Sequence, residues 1–511
     1  MQTVRSGPAV KRSRWRTPRA FEVCFVTFIV AALGSGACAR PAPPAPSQQV
    51  LRLGAQDGGE ARTVLTQILF AEPLLVLDWN GKPAARLAID WSWLPGGLTL
   101  QVRLRPGVKF HDGTPLTAPI VATILQQQIK QEDLTRAFEY VTGIDTPDDH
   151  TMLFRLSRTD AFLVQALAGT LIVDQTKPDV GTGPFRILSR DPLIAAEKNN
   201  GYYRGVPRID RVQITTYDTP RKAWAAMMRG EVDMVQEVNP DSVEFLEGAS
   251  RFELHATLRP FYIPLVFNLR HPILKRVEVR RALTRAIDRE EILREALRNR
   301  GRIAEDPVWP FHWAYNATAR KHTHDPAAAR AELDAAGLPV RASSDPGAMD
   351  SRFRIECVFG VQYERIALLL QRQLAEVGVD LVLEGAEQLT VTKRAGLGKF
   401  DTYLFQLTSG KSFDWTYRFW HSGPGQYQNS GYVGADAVLD QLRLGLTEAA
   451  VRVAVADLRQ RFFDDVPAAF LVWPETTRAI DTRFDIGDRS DPDVFANLWR
   501  WRPAERQRAE R

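Results

Sequence analysis

Two short segments of this sequence concentrate aromatic side chains in loop-like stretches. Residues 309–315 contain two tryptophans, a phenylalanine, a histidine and a tyrosine, and residues 415–420 contain two tryptophans, a tyrosine and a phenylalanine. Aromatic faces give stacking and apolar contact to sugars, peptide side chains and cations. For the tryptophans, burial in a protein core is the alternative. The candidate ligand-binding residues in these segments are Trp309, His312, Trp313, Trp415 and Tyr417.

No pattern for nucleophilic, metal or phosphate chemistry occurs in the chain. Gly-x-Ser-x-Gly, His-Glu-x-x-His, Cys-x-x-Cys and the glycine-rich phosphate loops are all missing. His322 and His324 flank one threonine, but no cysteine or third histidine lies nearby in sequence to complete a metal site. We therefore predict no catalytic residue, no metal and no cofactor. Because hydrolases can use scattered carboxylates that no motif reveals, an exported enzyme stays an alternative.

The hydrophobic periodicity indicates the elements that position these residues. Residues 50–54 alternate apolar and polar side chains, as a half-buried strand does. Residues 277–297 carry apolar residues at spacings of three and four on one face, which predicts an amphipathic helix. Asp325 followed by Pro326 predicts the start of another helix, and Gly337 predicts its end. This succession of helices and strands indicates an α/β fold with mixed sheets.

The net charge of the chain lies in its first residues. Of 511 residues, 44% are hydrophobic and 25% are charged, and the formal net charge is +5. Residues 1–37 hold six basic residues and one acid, which accounts for that whole charge. A basic stretch, an apolar run over 23–33 and small residues up to Ala37 have the three parts of a secretory signal. We therefore predict a signal peptide over 1–37 and an exported chain that is formally neutral and binds no nucleic acid.

Cleavage after Ala37 leaves Cys38 as the first residue of the exported chain. The preceding Gly-Ser-Gly-Ala resembles a bacterial lipobox, with serine where leucine is usual. Cys24 leaves with the signal and Cys357 lies in an apolar run, which disfavours a disulfide with Cys38. We predict lipidation of Cys38, followed by a Pro-rich tether over 38–49. Ordinary signal cleavage without lipid is the alternative.

Several further motifs resemble one family of bacterial receptors. They are Leu-Arg-Pro-Gly-Val-Lys-Phe-His-Asp-Gly-Thr-Pro ending at Pro115, Gly-Thr-Gly-Pro-Phe ending at Phe185, and Val-Glu-Val-Arg-Arg-Ala-Leu-Thr-Arg-Ala-Ile-Asp from Val277. Segments 72–88, 199–210, 228–234 and 267–269 add to the likeness in order and spacing. Over roughly residues 50–475, the chain resembles solute-binding protein family 5, the oligopeptide-, dipeptide- and nickel-type receptors of bacterial ABC importers.

The resemblance implies a two-lobed, periplasmic-binding-protein-like α/β fold (type II, cluster C) with an extra domain. It implies a receptor in the periplasm or at the outer face of the cell membrane, which delivers a solute to an ABC permease with a separate ATPase subunit. We expect a monomer anchored to the membrane by the lipid on Cys38. The implied boundaries are 50–72, 183–265 and 478–503 for lobe I, 73–182 for the extra domain, 266–477 for lobe II and 504–511 for a tail.

One departure from the family bears on the solute. In peptide-binding members, an acidic residue after a Phe-Asp strand pairs with the α-ammonium group of the peptide, and the matching strand here begins at Phe400. Gly410 or Lys411 takes the acidic position, and a lysine would repel an ammonium group and attract an anion. Asp414 is an alternative acid, although it aligns better with an Asp-Pro turn of the family. Ser409, Lys411 and Asp414 therefore join the candidate ligand-binding residues.

From these residues we predict a receptor for a peptide-like or other small polar solute. An oligosaccharide or an anionic solute is the alternative within the same function. An exported enzyme or a non-transport interaction protein on the same fold is the alternative of a different class.

Overall fold

The computed structural model of the protein describes residues 48–56, 60–130, 137–316, 320–342, 350–489 and 492–504. The predicted signal peptide, Cys38 and most of the tether lie outside the described residues. The described strands are β1 (Val50–Gln56), β2 (Leu75–Leu77), β3 (Pro83–Ala85), β4 (Ala88–Trp93), β5 (Thr99–Leu104), β6 (Val141–Asp145), β7 (Thr151–Leu156), β8 (Phe185–Ser189), β9 (Ile194–Lys198), β10 (Arg211–Tyr217), β11 (Met234–Val235), β12 (Phe252–Leu258), β13 (Phe261–Phe267), β14 (Gly301–Ile303), β15 (Phe353–Gly360), β16 (Val379–Ala386), β17 (Thr402–Leu404), β18 (Leu407–Thr408), β19 (Ala468–Asp481), β20 (Phe484–Asp485) and β21 (Arg502–Pro503).

Helices alternate with these strands along most of the chain. None of the helices within the described ranges is long and apolar enough to cross a membrane. Short 3-10 helices cover Val361–Tyr363 and Val494–Arg500. The described α-helices are α1 (Glu60–Phe70), α2 (Ala118–Gln128), α3 (Phe162–Gly169), α4 (Pro220–Met228), α5 (Pro240–Glu247), α6 (Val277–Ala286), α7 (Arg289–Leu297), α8 (Pro326–Ala335), α9 (Glu364–Glu376), α10 (Gln388–Leu397), α11 (Phe413–Trp420), α12 (Asp436–Leu444) and α13 (Glu448–Asp465).

Most strands belong to one sheet of thirteen described strands, which has two halves. In one half β1 runs parallel to β10 and β11, and in the other β15 runs parallel to β16 and β17. Parallel pairs need crossover connections, which helices provide on the faces of the sheet. Each half has hydrophobic clusters of its own. We call the half with β1 and β8–β12 the first lobe and the half with β13–β18 the second lobe.

Extended chain joins the two lobes at two adjacent places. Strand β19 is 14 residues long. Its residues 468–472 pair with β13 in the second lobe, and its residues 475–481 pair with β12 in the first. Between β12 and β13 lie only Arg259 and Pro260, and the N–H of Arg259 donates to the carbonyl of Pro474 at 3.0 Å. The two crossings are therefore hydrogen-bonded side by side, which is the geometry of a hinge.

A separate antiparallel sheet in the order β4-β5-β7-β6 packs with α2 and α3 around its own hydrophobic cluster. Alternation along β5 buries Leu100, Val102 and Leu104, while Arg103 between them is exposed. The two-stranded hairpin β2–β3 adjoins this sheet, with Leu75 in the same cluster. We call β2–β7 with α2 and α3 the small layer.

Capping residues decide where helices begin. The prediction of a helix starting at Asp325 is confirmed, since its side chain accepts from the N–H of Ala328 at 2.9 Å. The single helix predicted over 277–297 is wrong, because the chain forms α6 and α7 with extended backbone at Ile287 between them. The Asp288 side chain accepts from the N–H of Glu291 at 2.9 Å and so starts a second helix.

Glycine is required where the chain returns from the small layer to the first lobe. A Cβ on Gly181 would lie 1.9 Å from the carbonyl oxygen of Phe70. The segment is also held by backbone bonds, since Gly183 donates to the same carbonyl at 3.0 Å and Gly181 accepts from His111 at 2.8 Å. We expect Gly181→Ala to lower the free energy of unfolding by about 3 kcal/mol through overpacking, measured by urea denaturation.

The matched control is Gly169→Ala in the last turn of α3. No atom lies within 4 Å of the position that its Cβ would take. We expect a change of less than about 0.5 kcal/mol, as for surface substitutions in general. Equal losses in the two variants would contradict the close approach at Gly181.

Candidate functional site

The loop between β2 and β3 is a tight turn built around one aspartate. The carboxylate of Asp78 accepts from the backbone N–H groups of Asn80 and Lys82, both at 2.9 Å. Gly81 donates its N–H to the Asp78 carbonyl at 3.0 Å and has a φ of +75°, which favours glycine. These local bonds fix a turn over residues 78–82, which we call the hairpin tip.

The hairpin tip docks into the second lobe through candidate residues of the sequence analysis. The indole Nε1 of Trp309 donates to the carbonyl of Trp79 at 2.9 Å, and the N–H of Trp313 donates to the carbonyl of Asn80 at 3.0 Å. The Nζ of Lys411 lies 4.9 Å from the ring centroid of Trp79, a cation–π distance. We call the four residues that receive the tip, Trp309, His312, Trp313 and Lys411, the hairpin socket.

Two socket residues are buried. Trp309 is 1% exposed and packs edge-on against Trp79 and Trp473 at centroid distances of 5.1 and 5.5 Å. Burial lowers the pKa of His312 to about 4, and the nearby Arg452 adds to this effect, so the imidazole is neutral at pH 7. No cluster of three or more metal-ligating side chains occurs among the described residues.

Ser409 and Asp414 are held by different parts of the chain. Ser409 is 1% exposed, and its N–H donates to the carbonyl of Pro260 at the crossing between the lobes at 2.8 Å. Asp414 lies in the first turn of α11, where its N–H donates to the side-chain oxygen of Gln165 at 3.1 Å. Its carboxylate accepts from the hydroxyl of Ser412 and lies 3.9 Å from Arg418 Nε. The Asp414 carboxylate is therefore already partnered by a hydroxyl and a guanidinium.

The remaining two candidates are the aromatic residues of α11. Tyr417 donates its hydroxyl to Asp440 at 3.0 Å, and burial raises its pKa to about 12. Trp415 stacks against Tyr427 at a centroid distance of 5.9 Å. A Cβ on Gly410 would lie 2.3 Å from the Trp415 ring, so the 409–411 turn packs directly on this indole.

A cavity of about 300 Å³ opens beside the contact between α3 of the small layer and α11 of the second lobe. Asp414, Tyr417 and Arg418 line its second-lobe side, and Phe162 and Glu139 line its small-layer side. A larger cavity of about 490 Å³ lies where the small layer, the first lobe and Lys411 meet. The structure thus divides the candidates between the socket, two cavities and a lobe crossing.

Buried polar groups line the larger cavity. Glu72 accepts from the Tyr202 hydroxyl at 2.9 Å and from the Tyr203 hydroxyl at 3.2 Å, and Arg86 lies 3.6 Å away. Burial raises the pKa of the Glu72 carboxyl, an effect that the charge of Arg86 opposes. Trp79 and Trp499 supply aromatic surface to the same cavity.

A third cavity, of about 160 Å³, opens directly between the two lobes, and sequence reasoning missed it. Gln56 and Gln236 lie at the carboxyl ends of β1 and β11, and Gln406 and Gln388 follow β17 and β16. Ligands of open α/β sheets bind outside the carboxyl ends of parallel strands. The same cavity contains Arg259, one of the crossing residues, 3.7 Å from Glu237. We call this cavity the glutamine cleft.

The glutamines are widely separated in sequence and form no motif. A signal was present in their positions, since each follows or ends an apolar strand. That signal identifies a shared site only when the strands are known to be parallel and to face each other. Local periodicity does not determine either property.

Comparisons with known proteins agree with this architecture. The family model for bacterial extracellular solute-binding proteins, family 5 Middle, matches residues 82–429. The oligopeptide-binding protein AppA of Bacillus subtilis (strain 168) is 24% identical over 456 residues, covering 81% of this chain and 82% of AppA.

Solved structures show the same fold. AppA from Bacillus subtilis in complex with a nonapeptide has a TM-score of 0.73 at 22% identity, covering 90% of this chain and 100% of that chain. The binding protein AgaA from A. tumefaciens R10 in complex with agropinic acid has a TM-score of 0.71 at 21% identity, covering 89% and 99%. The predicted two-lobed α/β fold is confirmed.

Docking of the hairpin tip can be tested at its glycine. In Gly81→Ala, the new Cβ would lie 2.4 Å from the carbonyl oxygen of Lys411 and 2.7 Å from the His312 ring, at a positive φ. We expect the free energy of unfolding to fall by about 3 kcal/mol, from the clash and the backbone strain together. Denaturation in urea, followed by tryptophan fluorescence, measures this loss.

Gly96→Ala controls for backbone strain alone. Gly96 has a φ of +91°, and no atom lies within 4 Å of the position of its Cβ. We expect this variant to lose about 1 kcal/mol. If Gly81→Ala lost no more than this, the tip would not be tightly held by the socket.

Proposed function

The chain belongs to the bacterial extracellular solute-binding proteins, family 5, as its motifs indicated, and we propose that the glutamine cleft is where it captures its solute. The observation that carries this proposal is the convergence of Gln56, Gln236, Gln388 and Gln406 from both lobes on one cavity beside the hinge. A solute held there touches both lobes, so its binding favours their closure.

The chemistry of the cleft suits a peptide-like or other small polar solute. Glutamine amides carry donors and an acceptor, which match the C=O and N–H groups of peptide bonds and equally match hydroxyl groups. The side-chain oxygens of Gln406 and Gln236 already accept from Tyr363 at 2.8 Å and from Arg478 at 3.4 Å, which orients these two amides. Glu237 and Arg259 lie 3.7 Å apart and partner each other. The nonapeptide bound by the relative AppA supports a peptide-like solute. A sugar or an anion remains the second choice on the same site.

The candidate residues of the sequence analysis take different roles in this proposal. Lys411 lines the larger cavity, and Asp414 and Tyr417 line the cavity between α3 and α11, so these three remain proposed ligand contacts at alternative sites outside the glutamine cleft. Ser409 and Trp415 are proposed to shape the turn that carries Lys411. Trp309, His312 and Trp313 are proposed to hold the hairpin tip.

We also propose the domain organisation and the anchoring derived from the sequence. The small layer falls within the proposed extra domain of 73–182. The proposed boundary between the lobes at 265 lies a few residues after the crossing at Arg259 and Pro260. The exported receptor is proposed to be a monomer that passes its solute to an ABC permease powered by a separate ATPase. Mass spectrometry of the membrane fraction should find a lipid on Cys38, and unmodified Cys38 there would contradict the anchor.

The proposed site predicts a loss of affinity in Gln388→Ala. Thermal-shift screening against peptides, oligosaccharides and opine-like anions should first find one class that stabilises the protein. Titration calorimetry with that solute should then show an affinity about ten-fold lower in the variant, because a hydrogen bond to the solute is lost. A turnover assay on the same panel should recover the solute unchanged, whereas a product would favour an exported enzyme.

Gln441→Ala is the matched control. Gln441 is an exposed glutamine on α12 and does not line the cleft. Its replacement should leave affinity unchanged. Equal affinities of the Gln388 variant and the wild type, with a solute in hand, would place the binding site elsewhere.

A further inference from the structure

Acidic residues of one helix in the first lobe face arginines of the second. Helix α5 follows β11 and buries Val243 and Leu246 in a cluster with Phe252 of β12. Its Asp241 carboxylate lies 3.2 Å from Arg298 and 3.3 Å from Arg365. Asp241 thus carries two ion pairs from one lobe to the other.

A second acid on the same helix repeats the arrangement. The Glu247 carboxylate accepts from Arg300 at 2.6 Å. Arg298 and Arg300 follow α7, and Arg365 lies in the first turn of α9, both of which pack in the core of the second lobe. Two acids of the first lobe therefore meet three arginines of the second.

The backbone is strained where two of these arginines are presented. Arg298 and Asn299 are consecutive non-glycine residues with φ values of 53° and 59°. A left-handed backbone conformation costs roughly 1 kcal/mol or more for each such residue. It is kept only where surrounding contacts hold the backbone in that conformation. This turn caps α7, because Asn299 donates its N–H to the carbonyl of Leu293 at 2.9 Å, and the Arg298 and Arg300 side chains extend from it to α5.

These pairs lie at the edge of the sheet that holds the glutamine cleft. α5 begins five residues after β11 ends, and α9 begins four residues after β15 ends, so both helix N-termini follow the carboxyl ends of parallel strands. The side chains remain solvent-accessible, with Asp241 46% and Arg365 58% exposed. Exposed pairs of this kind are weak singly and are screened by salt over about 8–10 Å.

We propose that these ion pairs form an ionic latch that favours the closed arrangement of the lobes and is weakened by salt. Because the partners belong to different lobes, breaking the pairs changes the equilibrium between closed and open forms while leaving the core of each lobe intact. The apparent affinity for a solute scales with the closed fraction, so the latch also tunes binding. Its effect on affinity rests on the proposed function, whereas its effect on closure does not.

The latch predicts a salt response that one substitution weakens. Small-angle X-ray scattering of the full chain without solute should give a radius of gyration that increases between 50 and 500 mM NaCl, chosen to span about a three-fold change in screening length. Asp241→Asn should already have a larger radius at low salt and should respond less to added salt, because only the pair of Glu247 and Arg300 remains. Arg365→Gln should act in the same direction, and the double variant should add less than the sum.

Glu244→Gln is the matched control for charge. Glu244 is exposed on the same helix, and no ion pair joins it to another described residue. This variant removes an equal charge and should keep the salt response of the wild type. Identical radii of the wild type and Asp241→Asn at both salt concentrations would overturn the latch, as would an equal effect of Glu244→Gln.

Solute titration separates the latch from the proposed function. With a solute in hand, Asp241→Asn should bind about five-fold more weakly at 50 mM NaCl and equally to the wild type at 500 mM. Unchanged radii with solute binding intact would reject the latch alone. A radius that responds to salt and to Asp241→Asn in a protein that binds no solute would support the latch and reject the proposed function.

Discussion

The arrangement of the lobes depends on backbone hydrogen bonds between two short lengths of extended chain. Strand β19 pairs with β13 in one lobe and with β12 in the other, and the 259–260 link lies beside it. Extended backbone tolerates modest changes in φ and ψ without losing its neighbours. Each lobe can therefore keep its own core while the angle between the lobes changes, and a cleft beside the crossings widens or narrows with that angle.

The small layer is bound to both sides of this hinge by buried polar contacts. Toward the first lobe, Arg86 of the small layer lies 3.6 Å from the Glu72 carboxylate, which also accepts hydrogen bonds from Tyr202 and Tyr203. Toward the second, Arg443 lies 2.8 Å from Asp160. Removing one partner of such a buried pair leaves a desolvated charge without compensation, which is strongly destabilising. These contacts therefore restrict the positions of the layer more tightly than apolar packing alone would.

The parts of the structure that local sequence determines were predictable. The α/β class, the capped start at Asp325 and the absence of familiar catalytic motifs follow from residues close together in the chain. The break at Ile287 was not predicted, because the apolar spacing continues across it while a competing cap at Asp288 ends the helix. The hydrophobic stripe indicated one continuous helix and the capping residue indicated a new helix start, and the structure follows the capping residue.

The candidate site was predictable only in part, because tertiary contacts assemble it. The aromatic residues at 309–313 and the 409–411 turn both contact the hairpin tip of 78–82, which lies between them. Gln56 and Gln388, which face the same cavity, are separated by more than 300 residues of chain and have no local signature. Parallel strand order brings such residues together, and that order is a property of the whole fold.

The hairpin tip in its socket has a mechanical consequence. With the small layer fastened to the first lobe at Glu72 and to the second at Trp309, the three bodies and the strand crossings form a closed linkage. In an open chain of two bodies, one hinge is enough for motion. In a closed linkage, rotation at one joint has to be matched by rotation or slippage at another. The close fit of Gly81 against Lys411 therefore limits how far the two lobes can separate. Small changes in the angle between the lobes leave every contact of the linkage intact, whereas full separation of the lobes requires one of these contacts to break.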